Sequence, residues 1–278
     1  MMNKKTVIRN KNTIVIHVTL IIGALLTIGP FIWMVLTSLK TYAESVQVPP
    51  VVIPSTFLWM NYTEVFELLP FFKFMMNTII VTIIRTVGQL FLCSLAAYAF
   101  ARIQFPGRNI LFLLMLSVLM VPAQVFLLPQ YLIMVKLEWL NTLQAVIVPG
   151  LFSAFGTFLL RQFFMGIPKE LEEAARLDGC NHFQIYWHVM LPLAKPGLIA
   201  LGIFTTLWSW NELMWPMIVN SSPEMMTLSV GLSSLQGQYA TNYPVLMAGS
   251  FLAILPMLIL FIFLQKQFIE GITITGGK

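Results

Sequence analysis

Four residues just past position 205 have the types and spacing of a ligand-contacting face. Trp208, Asn211, Glu212 and Trp215 fall at i, i+3, i+4 and i+7, which on a helix puts them on one side. Indole rings stack on the apolar faces of sugars, and an amide or a carboxylate satisfies hydroxyls, so this set suits a carbohydrate. Two further polar residues, Arg85 and Gln124, stand in apolar surroundings. An arginine at the bilayer centre costs about 3 kcal/mol on the insertion scale, and each Ile, Leu, Val or Phe returns about 0.3 to 0.6. The apolar run from Ile79 to Leu92 offsets that cost, so the segment still inserts with Arg85 turned to the protein interior. There it either meets a ligand or ties helices together. Trp215 belongs to the same face or to an aromatic belt at the membrane surface.

Bond-making chemistry is missing. The three histidines are His17, His182 and His188, and none stands in an HExxH pattern or beside a serine nucleophile. Cys93 and Cys180 form neither a disulfide framework nor a metal-ligand set. The Thr275-Gly276-Gly277-Lys278 stretch lacks the Ser or Thr and the following helix of a phosphate loop. Nor do basic residues cluster with interleaved aromatics as a nucleic-acid surface would require. The chain therefore reads as a non-enzyme with no metal or cofactor of its own. An ion-coupled secondary carrier would need an ionisable relay in the membrane. Only Arg85, Glu212 and His17 qualify for one.

The elements that hold these residues must sit in lipid. Hydrophobic residues make up 58 % of the chain and charged residues 10 %, against about 25 % charged in a soluble domain. Six runs reach the length of about 20 residues that a spanning helix needs: 14–36, 74–98, 110–132, 143–164, 197–219 and 244–265. The first follows a basic start but is too long for the apolar part of a signal peptide, so it is expected to be retained. With the N-terminus inside, Lys4, Lys5, Arg9, Lys11, Arg102, Arg108, Lys169, Arg176, Lys195, Lys266 and Lys278 face the cytoplasm, and only Lys40, Lys73 and Lys136 lie outside. The expected fold is an all-α membrane protein, a single domain over 1–278 with both termini cytoplasmic. Pro122, Pro149, Pro216 and Pro256 interrupt the last four spans, which favours a moving bundle around a cavity over an inert anchor.

Between spans four and five lies a polar block, residues 168–196, on the cytoplasmic side. Pro168 suits the start of a helix, and Glu170, Glu172 and Glu173 favour its positive end. Gly179 ends that helix, Asn181 caps a second one, and Pro192 is expected to stop it. Phe183, Tyr186, Trp187 and Met190 form an apolar stripe on the second helix. Such a stripe lies on the membrane surface or plugs into a soluble partner.

Glu173-Ala174-Ala175, then Gly179, Val189, Leu191 and Pro192, follow the spacing E-A-A-x3-G-x9-[I/V]-x-L-P, and here the block resembles the EAA loop of ABC importer permeases. Segments 94–109, 159–179, 207–219 and the tail 271–278 are similar to the maltose-transporter type of sugar permease, in particular to the smaller of its two paired subunits. The resemblance implies a multi-pass subunit of a bacterial or archaeal cytoplasmic membrane, importing a sugar or oligosaccharide. A polyol or glycerol phosphate is the competing substrate class. It further implies a second permease, two ATPase subunits that bind ATP and Mg, and an extracytoplasmic solute-binding protein. The loop would couple to the ATPase through Glu173 and Gly179, with Ala174, Ala175 and Phe183 filling the partner's cleft and Leu191 and Pro192 completing the motif. Trp208, Asn211, Glu212, Gln124 and Arg85 remain the candidates for the substrate pathway.

Overall fold

The computed structural model describes residues 4–237 and 241–273. Among these the regular structure is helical, apart from one isolated bridge between Gln236 and Thr241. The side chains of Lys4, Lys5, Arg9, Lys11 and Lys266, together with Lys278 and the tail beyond Thr273, lie outside the described residues. The chain separates into two compact units.

The first unit runs to Leu69 and includes Ser234–Ile254. Helix α1 (Lys4–Ser38) presents exposed Leu20, Ile21, Leu25 and Leu26. Its end is closed by Asn61, whose side-chain amide donates to the carbonyls of Ser38 (2.8 Å) and Lys40 (2.9 Å) that the helix leaves open. Lys40 is buried with its ammonium 4.1 Å from the centre of the Trp33 ring. Burial lowers its pKa, and the Glu44 charge pulls it back up. Thr41 and Glu44 form a capping box on the short α2 (Tyr42–Val46). Hydrogen bonds from Ser55 and Thr41 hold the Glu44 carboxyl at about 2. Helix α3 (Met60–Leu68) follows.

The second unit covers Pro70–Ser233 and the chain from Leu255. Its axis is α4 (Phe71–Arg102), unbroken by proline and packed most extensively against α8 and α12, whose ranges follow. Next come α5 (Arg108–Ser117), α6 (Leu127–Lys136), α7 (Leu143–Ile147) and α8 (Ala154–Gly166). The polar block holds α9 (Lys169–Leu177), α10 (His182–Ile185), a π-helical turn (Tyr186–Met190) and α11 (Leu191–Leu193). Helices α12 (Lys195–Asn211), α13 (Met214–Val219) and α14 (Leu228–Ser233) complete this stretch, and α15 (Tyr243–Thr273) ends the described chain.

Four stretches are long and apolar enough to cross a membrane: Ile16–Ser38, Phe71–Arg102, Leu143–Gly166 and Tyr243–Gln265. Two further pairs meet the same test only together, Arg108–Met120 with Ala123–Lys136, bent by 100°, and His182–Leu193 with Lys195–Asn211, bent by 77°. The expected run 110–132 is therefore two helices at a right angle. Pro122 forces Val121 into extended backbone, φ −95° and ψ 128°, and no helix passes through it. The run 197–219 breaks as well. Pro216 cannot donate to the carbonyl four residues back, at Glu212, and its ring crowds that carbonyl. Glu212 leaves the helix with ψ 123°. Pro149 relaxes into a 3₁₀ turn, after which the Ser153 hydroxyl caps α8 by accepting from the Gly156 amide, and Pro256 stays inside α15.

Candidate functional site

Two polar constellations in the second unit stand out from the apolar helices. The first is a cleft of about 340 Å³ lined by Arg85, Gln89, Thr205, Trp208, Ser209 and Glu212. Arg85 and Gln89 are one turn apart on α4. Thr205, Trp208, Ser209 and Glu212 are the i, i+3, i+4 and i+7 positions at the end of α12. The Arg85 guanidinium makes a hydrogen-bonded ion pair with the Glu212 carboxylate. It lies so close over Gly150 that a Cβ there would overlap it. Gln89 donates to the Gly150 carbonyl (2.8 Å) and accepts from the Thr205 hydroxyl (3.0 Å). The buried Ser209 hydroxyl has no hydrogen-bond partner. Trp208 is 57 % exposed and leans on Phe155 and Phe204, with ring centres 5.6 and 6.3 Å away. The cleft thus offers a matched charge pair, an uncommitted hydroxyl and one aromatic face. That combination accepts hydroxyl-bearing molecules better than ions.

Of the residues expected there, the structure brings Arg85, Trp208 and Glu212 together and leaves the others apart. Asn211 is exposed, and its amide donates to the Leu207 carbonyl at 2.8 Å, so it turns back on its own helix instead of into the cleft. Trp215 belongs to α13 beyond the break. It is buried with Val81, Met134 and Val146, donates to the Ala145 carbonyl at 2.9 Å, and is neither pathway nor surface belt. Gln124 was expected to be buried; it is exposed on the 3₁₀ turn Ala123–Phe126, because the bend at Pro122 carries it off the helical path. Gln89, Thr205 and Ser209 were not singled out from the sequence. The same i, i+3, i+4, i+7 count, begun at Thr205 and stopped at Glu212, finds the α12 set.

The second constellation is the polar block. Pro168 is the N-cap of α9, Gly179 takes φ +84°, and Asn181 makes a capping box with Gln184. A Cβ on Gly179 would meet nothing, so glycine answers to backbone angle and not to space. Pro192 does not stop the second helix. The Leu191 amide reaches back to the Tyr186 carbonyl, and this π turn absorbs the donor that Pro192 lacks, so the helix runs on to Leu193. The apolar stripe divides: Tyr186 and Met190 are buried in the chain's own core, while Phe183 and Trp187 are exposed. Glu173, Ala174, Gly179 and Pro192 are exposed as well, and Leu177 is 90 % exposed. Ala175 faces inward with Ile185 and Leu160, so it cannot fill a partner's cleft, and Leu191 packs against the same core. Residues three positions before Ala175 or one turn beyond share its inward face. One of them is Glu172.

Glu172 is buried between two arginines, with Arg176 at 2.7 Å and Arg102 at 3.9 Å. The longer separation is an ion pair and too long for a hydrogen bond. Among the described residues, no three His, Cys, Asp or Glu side chains gather to hold a metal ion.

Comparison with known proteins identifies relatives of the chain. Residues 89–272 match the family described as binding-protein-dependent transport system inner membrane component. The chain is 38 % identical over 258 residues, 92 % of each chain, to the arabinooligosaccharides transport system permease protein AraQ of Halalkalibacterium halodurans. It is 34 % identical over 265 residues, 92 % of this chain and 94 % of the relative, to the sn-glycerol-3-phosphate transport system permease protein UgpE of Yersinia enterocolitica. Its fold superposes with a TM-score of 0.80 on a chain in the crystal structure of a bacterial ABC transporter involved in import of the acidic polysaccharide alginate. That match covers 96 % of this chain and 98 % of the other at 26 % identity.

Proposed function

This chain belongs to the family of binding-protein-dependent transport system inner membrane components, and on that basis we propose that it is a permease subunit of an ATP-driven importer for a sugar or oligosaccharide. Six spans cross the cytoplasmic membrane of a bacterium or archaeon, the third bent at Pro122 and the fifth beginning at Lys195, with both termini and the polar block inside. The excess of Lys and Arg on that side supports this orientation. The chain itself performs no catalysis. ATP and Mg bind to two separate ATPase subunits, and a second permease and an extracytoplasmic solute-binding protein complete the assembly.

The observation that carries this reading is the way the block divides its residues. Glu173, Ala174, Gly179, Leu177 and Phe183 form an outward face with one acid, small residues and two large apolar side chains, while Ala175, Tyr186 and Met190 fix the block to the membrane helices. A stiff element anchored behind and apolar in front suits docking into a moving ATPase. The Arg85–Glu212 cleft is the substrate path, Trp208 giving a stacking surface and Ser209 a hydroxyl. Its balanced charge favours a neutral sugar over a glycerol phosphate, because a phosphate there would face the Glu212 carboxylate.

Reconstitution tests the reading. The chain alone should hydrolyse no ATP, and with its partners hydrolysis should rise when loaded binding protein is added. Uptake that persists without an ATPase subunit, driven by a proton gradient, would establish the secondary-carrier reading instead. In the same vesicles, cysteines at positions 138 and 224 should react with an impermeant thiol reagent from outside, and one at 169 only from inside.

A further inference from the structure

Glu172 does not belong to the docking face. Only 6 % of it is exposed, and its carboxylate points back to the membrane helices. Arg102, which meets it, is the last residue of α4 and has a side chain 5 % exposed. The same guanidinium donates to the Phe164 and Ile167 carbonyls at the end of α8, the first of which also accepts from the Ile167 amide. One side chain therefore joins the ends of α4 and α8 to α9. A second tie lies two turns back along α4. There Ser94 hydrogen-bonds the Tyr186 hydroxyl at 2.7 Å, and the Tyr98 ring packs on Tyr186 at 5.5 Å. The other end of the lever is on the page too. Helix α4 runs unbroken from Arg102 back to Arg85, about 25 Å by the helical rise. At Arg85 it grips Glu212, the residue at which α12 breaks.

We propose that Glu172 is a positioning residue that locks the docking block to α4, and that α4 carries the block's displacement as a rigid rod to the Arg85–Glu212 cleft. This rests on the transport reading above. The physical reason is asymmetric stiffness. A buried carboxylate cannot leave its arginines without standing as an unpaired charge in an apolar setting, so block and α4 move together. The cleft wall contributed by α12 is broken next to Glu212 and yields. A push on the block therefore shifts Arg85 relative to the α12–α13 junction instead of bending α4.

The test uses the assembled complex in lipid nanodiscs, with Cys180→Ser as background and Trp208→Cys as a reporter labelled by a small thiol reagent. In this parent, the labelling rates of the nucleotide-free and vanadate-trapped states should differ by about tenfold, towards the low end of the usual range for coupled sites. In Glu172→Gln the complex should still assemble and hydrolyse ATP, but the two rates should converge. Glu172→Asp, which keeps the charge, should restore part of the difference. A merely structural acid would instead take assembly and hydrolysis down together and leave no converged but active complex. A Glu172→Gln complex whose labelling follows nucleotide as the parent does overturns the lever. If Glu172→Gln fails to assemble, Arg102→Lys, which keeps charge but loses the planar fork, is judged by the same criterion. A parent whose labelling ignores nucleotide overturns the transport-path reading itself, which is a distinct outcome.

Discussion

The docking block and the Arg85–Glu212 cleft both centre on an arginine of α4 paired with a glutamate, yet they are built on different scales. In the block, Glu172 and Arg176 are one turn apart and the caps Pro168, Gly179 and Asn181 act within three residues of where they stand. In the cleft, Arg85 and Glu212 are 127 residues apart, and their meeting depends on how α4 packs on α12 and on where α12 ends. The block is anchored at two points and keeps its carboxylate dry. The cleft leaves Glu212 with 29 % of its side chain exposed and Trp208 open. A part that transmits force is thus shaped by local caps and then tied down through Arg102–Glu172 and Ser94–Tyr186, whereas a part that meets a ligand keeps capacity in reserve.

The sharpest way to break this contrast is at the turn of the block. Gly179→Pro removes the left-handed residue that closes α9, and Glu173→Lys inverts the charge on the outward face. Either should abolish uptake in vesicles while leaving membrane insertion intact, and normal uptake by both would remove the docking role. A cycle on the cleft pair comes next. Removing one partner of a buried ion pair typically costs about 3 to 5 kcal/mol, to be reduced here because Glu212 is partly solvated. Arg85→Met should therefore lower the yield of folded subunit and its thermal stability more than Arg85→Met combined with Glu212→Leu, which leaves no orphan charge. Equal losses in the single and double variants would mean that the two side chains do not depend on each other.

The smallest effects separate the lining of the cleft from its neighbours. Trp208→Ala removes the exposed stacking face and should slow uptake about tenfold, from a stacking and packing loss near 1.4 kcal/mol. Sugar-stimulated hydrolysis should be largely kept. Asn211→Ala should stay within about twofold, because its amide is spent on Leu207 and an exposed hydrogen bond of this kind is worth little. Uptake rates across a range of sugar concentrations decide both. A large Asn211 effect with a silent Trp208 would shift the path to the neighbouring face of α12.

Some of this architecture follows from the order of residues alone. Composition selects lipid as the solvent, the apolar runs select helices, and Pro168, Gly179 and Asn181 start, stop and cap the block, because each of these signals acts on its own backbone or its immediate neighbours. Pro122 and Pro216 mark where helices are weak, but not that one bend reaches 100° or that the other releases Glu212. Those outcomes depend on neighbours supplied by distant segments. Once α12 ends at Asn211, the advance of about 100° per residue that would align Trp215 with Trp208 no longer holds, and Asn211 turns its amide back to Leu207. The face then shifts to Thr205, Ser209 and Glu212, with Gln89 arriving from α4. Burial likewise chose Ala175 and Glu172 for the inner side of α9 and left Glu173 and Ala174 outside. These four are consecutive and share a single turn of α9. Only packing against α4 and α8 decides which of them meets the core and which is left for a partner.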